Sequence, residues 1–300
     1  MNKPLLSICI PTYNRATCLK ECLESIVSQF NDEGVLNQVE VVISDNASTD
    51  NTVEIVKEFQ KNFSNIYYSK NETNLGFDRN LLKVVEKSVG EYCLTLGDDD
   101  GFLPNTLSIL INKIQTLRAP YFMLNTWGYD HDLIHPVVPH PNRKIKEDII
   151  YDSLMDFVKS IDNYVDLVGN FGGMSAQLFK RSFWIDFDKK EKYLDTQIIH
   201  IHILLTVFKN SMFILLSEPI IKTRNDNMRY DDVPGFETNS QRCNVSIKTT
   251  LWISDLYNLS LSPRKVQIYF RRRSYIISLK NFIKKILFMI RLRKSIVDTK

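Results

Sequence analysis

Strand-like and helix-like segments alternate over the first 125 residues, and this alternation constrains the fold more than any other feature of the chain. The predicted strands are the short apolar runs at 6–10, 39–43, 66–69, 92–96 and 121–125. Strands that alternate with helices in this way form a largely parallel sheet with helices on both faces. We therefore predict an α/β protein with a doubly wound, Rossmann-like sheet.

Local residue patterns predict where the helices begin. Asn14 is the predicted N-cap of the first helix, and Thr49 or Asp50 is the predicted N-cap of the second. A third helix is predicted over 78–89, and Pro104 suits the first turn of a fourth. In the second half of the chain, LDTQIIHIHILL is predicted to be a helix with an acidic beginning, and MFILLSEPIIKTR to be a closing strand.

Charge is distributed unevenly along the 300 residues, whose net charge is +3. Residues 261–300 contain 12 Lys or Arg and one Asp, a local charge of +11 that leaves −8 for the first 260 residues. This basic tail also carries Ile, Leu, Phe and Tyr at helical spacing, which indicates an amphipathic helix on an anionic membrane surface. A helix packed on the domain with a solvated basic face is the alternative. Nucleic acid is not an expected partner, because the acidic body would repel phosphates.

The cysteines and the apolar segments indicate the compartment. There are five cysteines, an odd number, and only Cys18 and Cys22 lie close together. With no second ligand pair near them, we expect reduced thiols in a cytoplasmic protein rather than a disulfide framework or a zinc site. The N-terminus turns polar too early for a signal peptide, and polar residues interrupt the most apolar later window, 198–216. No transmembrane helix is therefore predicted.

Three polar segments, PTYNR, SDNASTD and GDDDG, follow the first, second and fourth predicted strands. Since ligands bind at the carboxyl ends of the strands in such sheets, three polar segments at one edge predict a binding site. The triplet Asp98, Asp99 and Asp100 could hold Mg²⁺ or Mn²⁺ together with phosphate oxygens, and so assist the departure of a diphosphate. A solvated N-terminal helix cap is the alternative for the triplet.

The segments LSICIPTYNRATCLKECLESI, VEVVISDNASTDNT and NETNLGFDRNLLKVVEKSVGEYCLTLGDDDGFLP together resemble the family 2 glycosyltransferases of the GT-A fold. The resemblance is strong from residue 5 to about residue 117, and looser to about residue 223. It implies a GT-A domain over 1–224, in which about 1–125 bind the nucleotide-sugar and about 126–224 face the acceptor. A basic, helical C-terminal region would follow over 225–300.

The resemblance implies roles for residues of the nucleotide-sugar half. The loop after the first strand would lie against the nucleotide base, and Asp45 would contact the base or ribose. An element that contains an Asn, a Gly and an Arg-Asn pair would help to shape the nucleotide pocket. The residues that match the first-strand loop are Pro11, Thr12, Tyr13 and Asn14, and those that match the element are Asn74, Gly76, Arg79 and Asn80. The alternatives are a solvated helix position for Arg79 and an Asx-turn for Asp45.

The aspartate motif of this family usually reads Asp-x-Asp-Asp shortly before a proline. Counting back from Pro104 places Gly97 where the first Asp would be, a departure that affects ribose recognition. In this register Asp99 faces the metal, Asp98 lies between the metal and the ribose, and Asp100 supports the metal or faces the acceptor. Spacing alone would instead pair Asp98 with Asp100.

The general base is the second departure from the family pattern. Many relatives open a helix of the acceptor half with a Glu-Asp pair, and here Ile199 and His200 stand near that place. His200 is therefore a candidate base or metal neighbour, and Asp195 is the competing base. The alternative for His200 is a satisfied polar residue in a half-buried helix. Arg224 could reach the diphosphate or lie at the surface.

The resemblance implies a glycosyltransferase that uses a nucleotide-diphosphate sugar and a divalent metal, inverts the configuration and glycosylates a saccharide or lipid-linked acceptor. Relatives with GDDD resemble deoxysugar transferases of bacterial surface polysaccharide synthesis, such as O-antigen or capsule. The expected location is the cytoplasm, at the inner face of the cell membrane. One rival is a nucleotidyltransferase, although PTYNRA lacks the Gly-rich phosphate loop that such an enzyme normally shows. The other is a non-catalytic relative that binds nucleotide-sugar.

Overall fold

The computed structural model describes residues 3–139, 145–161, 171, 173–224, 239–259 and 262–271. The chain divides into two compact units. The first comprises residues 1–162 and 169–228 and contains the sheet, and the second comprises residues 163–168 and 229–300.

Within the described residues, one sheet contains all the strands of the first unit. These strands are β1 (Leu6–Thr12), β2 (Val39–Asp45), β3 (Ile66–Lys70), β4 (Tyr92–Thr95), β5 (Gly101–Phe102), β6 (Tyr121–Tyr129), β7 (Pro136–Pro139), β8 (Ile149–Tyr151), β9 (Gln177–Lys180) and β10 (Phe213–Arg224). The helices of this unit are α1 (Ala16–Val27), α2 (Glu33–Leu36), α3 (Thr52–Gln60), α4 (Phe77–Lys87), α5 (Thr106–Leu117), α6 (Leu154–Lys159), α7 (Arg181–Ile185) and α8 (Ile199–Val207).

The main path of the sheet runs in the order β3-β2-β1-β4-β9-β6-β10-β5, with β7 beside β6 and β8 beside β10. The strands β3, β2, β1 and β4 are parallel, as are β6 and β10. The predicted α/β class with a mostly parallel sheet is confirmed. The sequence does not predict that β9 runs antiparallel between β4 and β6, since this strand has only four residues and lies in an irregular part of the chain.

Apolar burial explains why these segments form a sheet with flanking helices. Every residue of β1 and β2 is buried, as expected for parallel strands that helices cover on both faces. Helix α1 places Leu19, Cys22, Leu23 and Ile26 in the core, at the helical spacing of one face. Burying a side chain such as Leu23 contributes about 2 kcal/mol. This packing stabilises the sheet, and the polar loops follow the strands at its carboxyl edge.

The predicted N-cap of α1 is wrong. The helix begins at Ala16, and Arg15 occupies the cap position without a side-chain capping bond. The Ala16 N–H instead donates to Asp50 Oδ2 at 2.9 Å, because the loops after β1 and β2 lie side by side. Asn14 has a positive φ of 51°, and its Oδ1 accepts the N–H of Thr49 at 2.7 Å. The cap is therefore supplied by the neighbouring loop.

The predicted helix over LDTQIIHIHILL also begins elsewhere. The chain forms a short 3₁₀ helix at Lys190–Tyr193, and α8 begins only at Ile199. Asp195 and Gln197, between these helices, both have a φ of 62°. A left-handed backbone cannot continue a right-handed helix, so Asp195 lies in a turn rather than in a first helical turn.

The second unit contains α9 (Asn239–Leu256) and a helical segment over 263–271. Ile247, Val266 and Phe270 form a buried apolar cluster, whereas the cations at 264, 265 and 271 are exposed. Residues 272–300 of the predicted basic tail lie outside the described residues, as do 225–238. Over the described ranges, no helix combines the length and the apolar character needed to cross a bilayer.

Candidate active site

The carboxyl ends of β1, β2 and β4 meet at one edge of the sheet. Thr12 and Asp45 are register partners at the ends of β1 and β2, and the Asn46 N–H donates to the Thr12 carbonyl at 2.9 Å. The Thr12 Oγ1 donates to Asp98 Oδ2 at 2.7 Å and thus ties the first-strand loop to the acidic loop after β4. The structure therefore brings together all three polar segments.

Arg15 joins the acidic loop from the first-strand side. Its Nη1 lies 3.2 Å from Asp98 Oδ1 and 2.8 Å from Asp99 Oδ2. The sequence prediction assigns no role to Arg15. The only indication was its position in PTYNR, since the parallel pairing of β1 with β4 brings that segment beside the aspartates. Arg15 supplies the positive charge that two adjacent carboxylates need.

The aspartates of the triplet occupy different environments. Asp98 uses both carboxylate oxygens on Thr12 and Arg15. Burial raises the pKa of Asp98 to about 6, although the Arg15 charge opposes the rise. Asp100 accepts a hydrogen bond from Ser175 Oγ and another from the Arg224 N–H at 3.0 Å. Burial, followed by the charge of Asp99, raises the pKa of Asp100 to about 7.

Arg224 anchors the acidic loop from the opposite side. Its side chain is only 2% exposed, so the alternative of a surface position is wrong. Nε donates to the Asp99 carbonyl at 3.0 Å, and the guanidinium also pairs with Glu21 and donates to the His131 carbonyl. These bonds fix the backbone that presents Asp99.

Gly97 is packed against the carboxylates that follow it. Its N–H donates to Ser175 Oγ at 2.9 Å. A Cβ at this position would lie 3.0 Å from Asp99 Oδ1 and 3.1 Å from Asp100 Oδ2, which is closer than side-chain carbons normally approach. A side chain at 97 would therefore displace both carboxylates, which explains why glycine stands here.

The predicted nucleotide-side residues lie at the same edge of the sheet. Asp45 is fully buried and accepts hydrogen bonds from Tyr68 OH at 2.5 Å and from the Ser48 N–H at 2.8 Å. Burial and the Asp45 charge raise the pKa of Tyr68. Pro11 is buried near the end of β1, whereas the side chain of Tyr13, two residues further on, is exposed. Of these side chains, Tyr13 is therefore the most accessible to a ligand.

Asparagines hold the strand ends in place. Asn74 Oδ1 accepts hydrogen bonds from Asn46 Nδ2 at 2.6 Å and from the Gly76 N–H at 2.9 Å. The Asn80 Oδ1 accepts a hydrogen bond from the Ser44 hydroxyl at 2.8 Å, and the Asn80 Nδ2 donates to the Ser44 carbonyl at 2.9 Å. Asn74 and Asn80 thus shape the edge through contacts within the protein. Asn46, which the sequence prediction omits, is part of this network.

The two base candidates differ in access. Asp195 is exposed over 74% of its side chain and pairs with Arg79, whose Nη1 lies 2.7 Å from Asp195 Oδ1. His200 is 2% exposed, and its ring lies edge-on to Phe77 with the centroids 6.4 Å apart. Asp195 can reach a substrate in solvent, whereas His200 lies inside the packed start of α8.

A divalent cation could bind at the acidic loop only if a ligand supplied further oxygens. Over the described residues, no group of three or more His, Cys, Asp or Glu side chains could enclose a metal. Mg²⁺ and Mn²⁺, however, need only one or two carboxylates when phosphate oxygens supply the other bonds. Side-chain exposure rises from 8% at Asp98 to 19% at Asp99, so Asp99 is the more accessible of the two carboxylates that Arg15 contacts. The residues present fit such a cation.

A largely parallel sheet whose polar strand ends surround an aspartate loop is typical of glycosyltransferases with the GT-A fold. The family model for "Glycosyl transferase family 2" matches residues 7–183. The chain belongs to this family and is a glycosyltransferase.

Two curated relatives resemble the chain in sequence. Abequosyltransferase RfbV of Salmonella typhimurium is 31% identical over 233 aligned residues, in an alignment that covers 76% of this chain and 68% of the relative. A Campylobacter jejuni enzyme, GalNAc(5)-diNAcBac-PP-undecaprenol beta-1,3-glucosyltransferase, is 34% identical over 121 residues. That alignment covers 40% of this chain and 37% of the relative.

Two solved structures share the fold. The Staphylococcus aureus protein TarS 1–349, in complex with UDP-GlcNAc, has a TM-score of 0.62 at 18% identity. The superposition covers 90% of this chain and 72% of the TarS chain. Mannosyltransferase PcManGT from Pyrobaculum calidifontis, in complex with GDP-Man and Mn²⁺, has a TM-score of 0.53 at 12% identity, with coverages of 93% and 76%.

Proposed function

We propose that the protein transfers a sugar from a nucleotide-diphosphate sugar to a saccharide or lipid-linked saccharide. The observation that carries this proposal is the linkage of the first-strand loop to the acidic loop through Thr12, Arg15, Asp98 and Asp99. This linkage sets hydrogen-bonding groups and acidic groups side by side. A nucleotide-diphosphate sugar requires both, since hydrogen bonds bind its nucleotide base and ribose and a cation held by acidic groups binds its diphosphate.

The donor would lie along the strand ends. Tyr13 and Asn14 would contact the base, Asp45 the base or ribose, and Asp98 the ribose side of the diphosphate. Asp99, supported by Asp100, would hold Mn²⁺ or Mg²⁺. That cation, when bound, neutralises the charge that develops on the departing diphosphate.

The reaction we propose is a direct displacement with inversion. An acceptor hydroxyl oxygen forms a bond to the anomeric carbon while the bond from that carbon to the diphosphate oxygen breaks, and its electrons leave with the nucleoside diphosphate. The hydroxyl proton passes to the carboxylate of Asp195. Asp195 is favoured over His200 as the base because Asp195 is exposed whereas His200 is buried.

The relatives and the second unit support our proposal for the acceptor and the location. RfbV is an abequosyltransferase, and the Campylobacter jejuni enzyme is named for an undecaprenol-linked acceptor. We infer a role in bacterial surface polysaccharide assembly at the inner face of the cell membrane. The exposed cations at 264, 265 and 271 support attraction to an anionic surface, where each contributes about 1 kcal/mol.

Thermal unfolding with Mn²⁺ and UDP-, GDP-, CDP- or dTDP-sugars tests the donor class. One nucleotide should stabilise the protein more than the others, by about 3 kcal/mol at a hundredfold excess over its dissociation constant. Transfer is then measured for the wild type, for Asp99→Ala and for Asp32→Ala. Asp32 caps α2 before the amino end of β2, at the opposite edge of the sheet.

Asp99→Ala should abolish metal-dependent transfer, whereas Asp32→Ala should keep it. Turnover that survives Asp99→Ala would refute the metal assignment. Donor binding without turnover on any acceptor would favour the second candidate, a non-catalytic nucleotide-sugar-binding relative. The burial of His200 favours that candidate, since it removes one of the two predicted bases.

A further inference from the structure

Three consecutive residues at the start of α4 contact the segment that leads into α8. The Phe77 ring packs edge-on against His200, and Arg79 pairs with Asp195 at 2.7 Å. Between them, Asp78 is buried and points its carboxylate at the backbone of residues 196–199. The first turn of α4 therefore contacts residues 195–200 through three consecutive side chains.

The Asp78 carboxylate binds the backbone of that segment directly. Oδ2 accepts the N–H of Thr196 at 2.7 Å and that of Gln197 at 3.0 Å, and Oδ1 accepts that of Ile199 at 3.4 Å. The first N–H groups of a helix lack partners within the helix, and Ile198, at the N-cap of α8, makes no side-chain capping bond. Asp78 therefore holds the turn before α8 and, through a longer contact, the first N–H of the helix.

The segment that Asp78 binds has an unfavourable backbone. Asp195 and Gln197 both have a φ of 62°, a left-handed conformation that is sterically unfavourable for residues other than glycine. Hydrogen bonds to a charged acceptor are stronger than neutral ones and can offset this cost. Without them, the turn would relax and Asp195 would move relative to the strand ends.

We propose that Asp78 is a positioning residue that fixes the turn carrying Asp195 at the active edge. The inference rests on the proposed function, in which Asp195 is the base. Asp78 lies 117 residues before Asp195 in the chain, and its contacts join the nucleotide-sugar half to the acceptor half. A purely structural cap would stabilise α8 without affecting the chemical step.

The test variant is Asp78→Asn, which keeps the size but removes the charge and turns an N–H₂ towards the backbone donors. The matched control is Asp148→Asn. Asp148 also accepts hydrogen bonds from a distant residue, the N–H and Oγ–H of Ser217, each at 2.9 Å. Both variants lose a carboxylate that joins two elements, and activity is measured at a temperature at which both are folded.

We expect Asp78→Asn to lower kcat by about 10- to 100-fold, because a small misplacement of a reacting group has effects of this size. The dissociation constant and KM of the donor should stay within about twofold, since the strand ends are unchanged, and Asp148→Asn should keep kcat within about twofold. An unchanged kcat in Asp78→Asn, or an equal loss in Asp148→Asn, overturns the proposal.

Hydrogen exchange of the peptide that covers residues 194–200 gives a readout that needs no turnover. Exchange should be faster in Asp78→Asn and unchanged in Asp148→Asn. Unchanged exchange in Asp78→Asn overturns the proposal whatever the activity. A wild-type protein that binds donor but transfers nothing overturns the proposed function, and with it the catalytic part of this inference, while exchange still decides whether Asp78 holds the turn.

Discussion

His202 should make the protein less stable in mild acid. The imidazole is buried in α8 and stacks on Tyr193 with the ring centroids 4.7 Å apart. Burial, followed by the neighbouring His200, lowers the pKa of His202 from 6.5 to about 4. The unfolded chain therefore binds the proton more tightly than the folded protein does. The stability due to neutral His202 is complete above pH 6.5 and is lost as the pH falls through about 4.

The size of the effect follows from the shift. A pKa difference of one unit corresponds to about 1.4 kcal/mol, so the full shift corresponds to about 3 kcal/mol. Between about pH 7.5 and about pH 4.5, we expect about 2.5 kcal/mol of this to be lost.

The measurement compares wild type with His202→Phe, which keeps a ring against Tyr193 but cannot be protonated. Urea unfolding of the unit that contains the sheet is followed at both pH values. The free energy of unfolding of wild type minus that of the variant should fall by about 2.5 kcal/mol in acid. Asp98 and Asp100 titrate in the same range, but they are present in both proteins and cancel in the difference.

Phe208→Leu is the control for packing. It removes aromatic contacts with Tyr121 and Phe183 but no ionisable group, so its effect on stability should be equal at the two pH values. A wild-type-minus-His202→Phe difference that changes by less than about 0.5 kcal/mol between the two pH values would refute the reasoning.

Two further predictions concern the acidic loop. Arg15→Gln should lower the free energy of unfolding by about 2 kcal/mol without divalent cations, because two partly exposed charged hydrogen bonds are lost. Mn²⁺ should stabilise this variant more than wild type in a calorimetric melt, and an equal Mn²⁺ effect would contradict the prediction. Gly97→Ala should destabilise by about 1 kcal/mol and weaken Mn²⁺ binding in a titration, because its Cβ crowds Asp99 and Asp100. Gly173→Ala, whose Cβ would meet no atom of the described residues within 4 Å, should do neither.

The sequence predicts most of the first half of the fold, because apolar runs and helical periodicity are local properties. The parallel sheet brings the ends of β1, β2 and β4 together, so the meeting of Thr12, Asp45 and the aspartates follows from the strand assignments alone. This part of the candidate site could be predicted without coordinates.

The contacts that hold the site could not be predicted in the same way. Arg15 meets Asp98 across 83 residues, and Asp78 meets Thr196 across 118. No local pattern indicates which carboxylate accepts which distant N–H, and the same difficulty explains the capping of α1 by Asp50. The start of α8 was misplaced because helix propensity takes no account of a turn that a buried carboxylate imposes from another helix.

The antiparallel insertion of β9 limits how this enzyme can be recombined with its relatives. Residues 177–180 form the neighbour of β4, and β10 is the partner of the short β5. A chimaera that exchanges only residues 1–125 would thus replace one side of the β4–β9 and β5–β10 pairs, and it would also cut through β6, which pairs with β9 and β10. An excised 1–125 fragment would expose the edge of β4, and unpaired edges of this kind promote aggregation. A change of donor specificity by segment exchange therefore has to carry β9 and β10 with the nucleotide-sugar half.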